Sequence, residues 1–324
     1  MSETVLEARD LVVRFHKKRA LRRPQVIHAV NGVSFSLAKG RTLALVGESG
    51  SGKSTTARAL LRLVEPSAGS VSLLGTELTG LDRRAMRSMR RHAQMVFQDP
   101  YSSLDPSMTV DEIVAEPLRV HTEMNAVERA ARVKESLELA GLSARFLGRR
   151  PHEFSGGQRQ RIAIARALAT RPEVVVADEA VSALDVSTRN QILNLLKDLQ
   201  ADLGLSYLFI SHDLGVVSHL AHEIAVMYLG TIVEQGSTDE VFANPAHPYT
   251  RALLSAAPST SLDGQVDRIR LGGEPPDPSA PPSGCYFHGR CAEAMPQCAQ
   301  VAPLPVRIGT TSEVACHLHG VPVG

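Results

Sequence analysis

The stretch GESGSGKS, Gly47 to Ser54, lies between an apolar run ending in glycine, RTLALVG (Arg41–Gly47), and a segment of helical period, KSTTARALLRLV (Lys53–Val64). It fits G-x-x-x-x-G-K-[ST] in the strand, loop and helix setting that this motif needs. Glycines let the backbone curl until several N–H groups face inward, and the helix N-terminus adds partial positive charge, so the loop suits phosphate oxygens. Lys53 is expected to reach the β- and γ-phosphates of a nucleotide, and Ser54 to place its hydroxyl on Mg²⁺. Gly47, Ser49, Gly50, Gly52 and Thr55 complete the expected contacts. A Gly/Ser-rich surface turn is the bland reading, and the flanking strand and helix argue against it. The motif alone says nucleotide, since kinases, GTPases, helicases and transport ATPases share it.

Around the loop, the 324 residues carry a net charge of +1 and 43% hydrophobic content, enough for one large domain with an appendage or two modest domains. No run approaches the roughly 18 apolar residues of a membrane-crossing helix, and MSETVLEARD lacks the layout of a secretory signal, so a cytoplasmic location is expected. Near-zero charge, no Trp and 4% aromatics speak against a nucleic-acid surface. Two basic runs, Lys17–Pro24 and Arg83–His92, read as a solvated loop and helix face, with contact to a partner or anionic lipid as the sharper alternative.

Val5–Leu37 holds β-patterned runs (LVVRF, VSFSL) that predict an antiparallel sheet. Pro100–Ala169 is largely helical, with HTEMNAVERAARVKESLELAGL its clearest amphipathic segment and Gly141 its expected stop. EVVVAD (Glu173–Asp178) and SYLFISH (Ser206–His212), joined by a helix from about Thr188 to Asp202, have βαβ character, and EIAVMYLGTIVEQG suggests a further strand pair. GGEPPDPSAPPSG should lack regular structure and bounds a tail that holds all four cysteines.

FSGGQRQRIAIARAL, Phe154–Leu168, narrows the class. Ser155 is a good helix cap, yet capping does not require two glycines followed by Gln-Arg-Gln-Arg. The stretch resembles the signature motif of ABC ATPases, usually LSGGQ, with Phe154 in place of leucine. The resemblance implies that Ser155, Gly156, Gly157 and Gln158 face the nucleotide held by a second subunit. Other motifs follow in order: Gln98 in VFQDPYSSLDP matches the glutamine loop, Asp178 and Glu179 in VVVADE a Mg²⁺-holding aspartate and a general base, Asp185 in SALD the dimer-contacting loop, and His212 the switch histidine. Each alone is weak; their joint order is not. Gln98 is also expected to sense Mg²⁺. Phe15 is the first choice for stacking on adenine and His28 the second. Ala180 stands where the family commonly has proline, which removes a rigid φ but no reacting group.

VFQDPYSSLDP, ADEAVSALDVS, NPAHPYTRALLSA and CYFHGRC…C…ACHL further resemble the ATP-binding subunits of oligopeptide, dipeptide and nickel importers. This implies an α/β P-loop ATPase with a RecA-like core, an antiparallel β-subdomain and an inserted helical subdomain at about 99–169, the ATPase spanning 1–243 and a cysteine-bearing extension 244–324. It implies ATP hydrolysis at the cytoplasmic face of a membrane, a second, distinct ATPase subunit, two permeases, an extracytoplasmic binding protein and no nucleic acid. A soluble ABC ATPase of DNA repair would need a coiled-coil insertion, and a translation-associated one normally two cassettes; neither feature occurs here. The tail spacing is C-x5-C-x6-C-x17-C, over Cys285, Cys291, Cys298 and Cys316. A cytoplasmic setting disfavours disulfides, and the missing C-x2-C knuckles lower the case for zinc. The resemblance implies a [4Fe–4S] cluster on the four; zinc and free thiols stay open.

Overall fold

Valines 174–176 are buried on both faces, as in a parallel strand covered above and below. The computed structural model describes residues 3–17, 25–256 and 269–320; residues 18–24 of the first basic run lie outside them. In chain order the elements are β1 (Thr4–Lys17), β2 (Gln25–Ala38), β3 (Thr42–Val46), α1 (Lys53–Leu60), β4 (Ala68–Leu73), β5 (Thr76–Glu77), α2 (Arg83–Arg90), β6 (Ala93–Val96) and α3 (Pro100–Ser103). Then come α4 (Val110–His121), α5 (Ala126–Leu139), α6 (Gly156–Leu168), β7 (Val174–Asp178), α7 (Val186–Leu203), β8 (Ser206–Ser211) and α8 (Leu214–Leu220). The remainder is β9 (Glu223–Tyr228), β10 (Thr231–Ser237), α9 (Thr238–Ala243), α10 (Pro248–Ala256), β11 (Val306–Ile308) and β12 (Ser312–Val314). No helix among the described residues is long and apolar enough to cross a membrane.

The chain forms two compact units, the first comprising residues 1–7, 36–42 and 72–210. In it β7 runs between β6 and β8, parallel to both, in the registers Ala93↔Val174 and Val174↔Ser206. Helices α4, α5 and α6 pack on one another. Their starts are encoded locally: Glu112 reaches back to the Thr109 N–H, and Asn125 and Glu128 form the same reciprocal box. Gly141, at φ +71°, stops α5 as its sequence predicts. Buried Arg132 donates to the carbonyls of Leu168 and Ala169, satisfying the end of α6. α2, capped by Asp82, buries only Met86; Arg83, Arg84 and Arg87 are exposed, Arg87 donating to Val120 O, and Arg90 is half-buried.

The second unit comprises residues 8–35, 43–71 and 211–324. Its strands lie in the order β11-β12-β10-β9-β3. β3 and β9 are parallel, with Leu43↔Glu223, and β9 and β10 form a hairpin whose two turn residues, Leu229 and Gly230, both have positive φ. In the tail β12 pairs antiparallel with β10 (Glu234↔Val314), and Phe287 is buried in a core with Val46, Val226, Tyr228 and Tyr249. Residues 272–284 carry no helix or strand, as their Pro/Gly content predicts. α1 is also shorter than its periodicity suggests, because Arg62 takes a left-handed backbone (φ +47°) just beyond it.

Candidate nucleotide site

In the second unit the residues of GESGSGKS form a turn before α1 in which Gly47, Gly50 and Gly52 all have positive φ, at 150°, 80° and 103°. A Cβ on Gly47 would collide with the carbonyl oxygen of Met227, and one on Gly52 with that of Ala29. Lys53 is 4% exposed, and its ammonium donates to the carbonyls of Gly47 and Glu48, each at 2.8 Å, and to Ser51 Oγ at 3.3 Å. The loop therefore encloses a cation that the sequence placed there for phosphate. Its outer wall was not foreseen. Tyr249 Oη accepts the Glu48 N–H at 2.8 Å, and Arg290 forks the Glu48 carboxylate at 2.8 and 3.2 Å. Ser54 and Thr55 open α1.

Phe15 leaves its ring exposed on β1, whereas His28 is partly buried; burial and then Arg14 hold its imidazole below the ordinary range. The His28 N–H donates to Pro278 O in the tail. His212 is exposed just after β8.

In the first unit Asp178 ends β7 and is 2% exposed. Glu179 follows with φ +48°, a strained backbone for a residue with a Cβ, held by its N–H to Ile210 O and its carbonyl to Ser182. Gln98 Nε2 donates to Glu179 Oε2 at 2.8 Å, so two residues matched separately to family motifs share one hydrogen bond. Ala180 is buried. The Ser155 hydroxyl accepts from Gln158 N, and Gln158 Oε1 accepts from Ser155 N, a reciprocal box opening α6. A Cβ on Gly157 would strike Thr188, while Gly156 has room. Phe154 is buried edge-on against Phe146, centroids 5.4 Å apart, which accounts for an aromatic in place of leucine. Asp185 caps α7 through Thr188 N and Oγ1, and these bonds hold its carboxyl below the usual range.

Cys285, Cys291, Cys298 and Cys316 are free. Burial, and then the charge of the other thiols, pushes Cys285 up to about 11. Cys291 and Cys316 are raised by burial too. Among the described residues no group of three or more His, Cys, Asp or Glu is arranged to hold a metal ion. The donor set thus gives the cluster and zinc expectations no geometric support.

Family models match twice: "ABC transporter" over residues 30–182 and "Oligopeptide/dipeptide transporter, C-terminal region" over residues 233–298. The chain is 48% identical over 322 residues to the oligopeptide transport ATP-binding protein AppF of Bacillus subtilis (strain 168), covering 98% of each. The chain belongs to the ABC transporter ATP-binding proteins. A second relative, the di/tripeptide transport ATP-binding protein DppF of Pseudomonas aeruginosa (strain UCBPP-PA14), is 48% identical, covering 97% of this chain and 98% of its own. Among solved structures, the ATP-binding cassette MJ0796, a post-hydrolysis dimer bound to ADP and Pi, matches with TM-score 0.64 and 31% identity over 72% of this chain and 98% of that one. This ABC protein is accordingly an ATPase.

Proposed function

We infer that this ABC ATPase powers the import of oligo- or dipeptides through a membrane transporter. The observation that carries this reading is the match of residues 233–298 to the oligopeptide/dipeptide transporter C-terminal region, supported by relatives named for peptide transport.

In this reading the chain works at the cytoplasmic face of the membrane with a second, distinct ATPase subunit, two permeases and an extracytoplasmic binding protein. Residues 1–243 form the ATPase and 244–324 the extension. Phe15 stacks on adenine. Gly47, Ser49, Gly50, Gly52, Lys53 and Thr55 hold the phosphates, with Lys53 moving from the loop carbonyls onto the triphosphate. Ser54, Gln98 and Asp178 would hold Mg²⁺ through oxygen, and the ion would neutralise charge on the phosphates. Glu179 is the general base that takes the proton of the attacking water, Gln98 orients its carboxylate, and His212 bonds the terminal phosphate. Ser155, Gly156, Gly157, Gln158 and Asp185 face the nucleotide of the other subunit. The helical subdomain, coupled through Gln98, passes the closing motion to the permeases.

The test is isolation from native membranes. Recovery with two hydrophobic permeases and ATP-dependent uptake of labelled peptides is expected; recovery with ribosomes or DNA, or uptake of nickel and not of peptides, would overturn the reading.

A further inference from the structure

Glu48, the first variable residue of the phosphate loop, is held from two directions by residues far away in sequence. Its N–H donates to Tyr249 Oη of α10, and its carboxylate receives both terminal nitrogens of Arg290, 242 residues later. Arg290 stands in a turn between Cys285 and Cys291 and is itself pinned: its side chain is 8% exposed, Nε donates to Gly272 O at 3.2 Å, and Nη1 reaches Tyr228 Oη at 3.5 Å. The turn is seated by Phe287, whose ring meets those of Tyr228 and Tyr249 at centroid distances of 5.2 and 5.4 Å. On the loop's inner side the carbonyls of Gly47 and Glu48 both accept from Lys53 Nζ.

We propose that Arg290 is a positioning residue for ATP: by forking Glu48 it fixes the two peptide groups that set where the Lys53 ammonium stands. A loop with three positive-φ glycines has much freedom to lose on binding phosphate. Holding it from outside removes part of that cost beforehand. A guanidinium suits the task better than an ammonium, because its rigid fork fixes both carboxylate oxygens at once. Arg290 touches neither substrate nor reacting atoms in this scheme; it acts through Glu48. A plain staple between tail and loop would lower stability while leaving the ATP affinity of the folded protein unchanged, and that difference can be measured.

The inference rests on the ATP-binding reading of the loop. Equilibrium titration of the full chain with a fluorescent ATP analogue, each variant kept well below its own Tm, separates the two. No binding by the parent overturns the ATP reading and this inference with it. With a parent that binds, Arg290→Gln and Glu48→Gln are each expected to weaken binding about tenfold, and the double variant to be no weaker than either single one, since they break one interaction. Arg290→Lys, which keeps the charge but not the fork, should fall in between and serves as the probe if Arg290→Gln does not fold. In the assembled transporter the KM for ATP should rise while kcat stays within about twofold. Unchanged affinity in a folded Arg290 variant, or fully additive losses in the double variant, would overturn the proposal.

Discussion

Gln98 and Glu179, 81 residues apart, share a hydrogen bond of 2.8 Å in which the amide donates to the carboxylate. The bond holds the carboxylate as an acceptor, and the Glu179 backbone stands at a φ of +48°. Replacing the carboxylate with an amide keeps the shape and removes the proposed base. Glu179→Gln is therefore expected to bind ATP as the parent does and to lose about 10²- to 10⁴-fold in turnover. Steady-state hydrolysis by the assembled complex checks this, and comparable rates in the two would exclude Glu179 as the base.

His247 gives the fold a dependence on pH. Burial, then Arg251 and His319, push its imidazole down to about 3, and its Nδ1 must stay unprotonated to accept the Tyr249 N–H at 3.0 Å. The folded state thus refuses a proton that the unfolded chain takes up below about pH 6.5, so stability falls as pH drops from there toward 3. Between pH 6.5 and 5 the parent should lose about 2 kcal/mol more than His247→Asn, whose side-chain oxygen can accept the same N–H without titrating. Parallel denaturation curves for the two across that range would count against a buried neutral imidazole.

The tail thiols should be sluggish nucleophiles. With Cys285 at about 11, mainly through burial, only about one molecule in a thousand carries its thiolate at pH 8. Iodoacetamide labelling of Cys285, followed by mass spectrometry, should be about a hundredfold slower than that of glutathione at pH 8 and should rise about tenfold per pH unit. Labelling as fast as glutathione would contradict the enclosed thiol.

Phe154 packs edge-on against Phe146, so its size matters to the first unit. Phe154→Ala should cost about 3–5 kcal/mol and Phe154→Leu about 1 kcal/mol, read from urea midpoints. A cost below about 1 kcal/mol for the alanine variant would mean that the ring is not part of the core.

What the sequence disclosed about this protein was local. Gly47–Ser54 sits inside one strand, loop and helix, so its glycines, lysine and flanking periodicity are readable within about twenty residues. The boxes at Asn125 and Ser155 are legible for the same reason. Gln98, Glu179 and His212 were reached only through the order of motifs, because nothing within a few residues of each sets it apart. The clamp on Glu48 left no trace: FHGRC contains an arginine like many others, and its partner is 242 residues away. The pairing of β12 with β10 was missed likewise, since a three-residue strand has too little alternation to register against the Pro-rich chain around it. Arg62 ended α1 early through a backbone choice that side-chain periodicity does not encode.

The second unit draws on residues 8–71 and on residues 211 onward, so its two halves leave the ribosome 211 − 71 = 140 residues apart. At about 5–20 residues per second the nascent phosphate loop waits roughly 7–30 s for the strands that will shelter it. Until Val314 emerges, the flank of β10 stays open as a template for another chain. Synthesis of this subunit therefore carries a long window in which a holdase has something to guard.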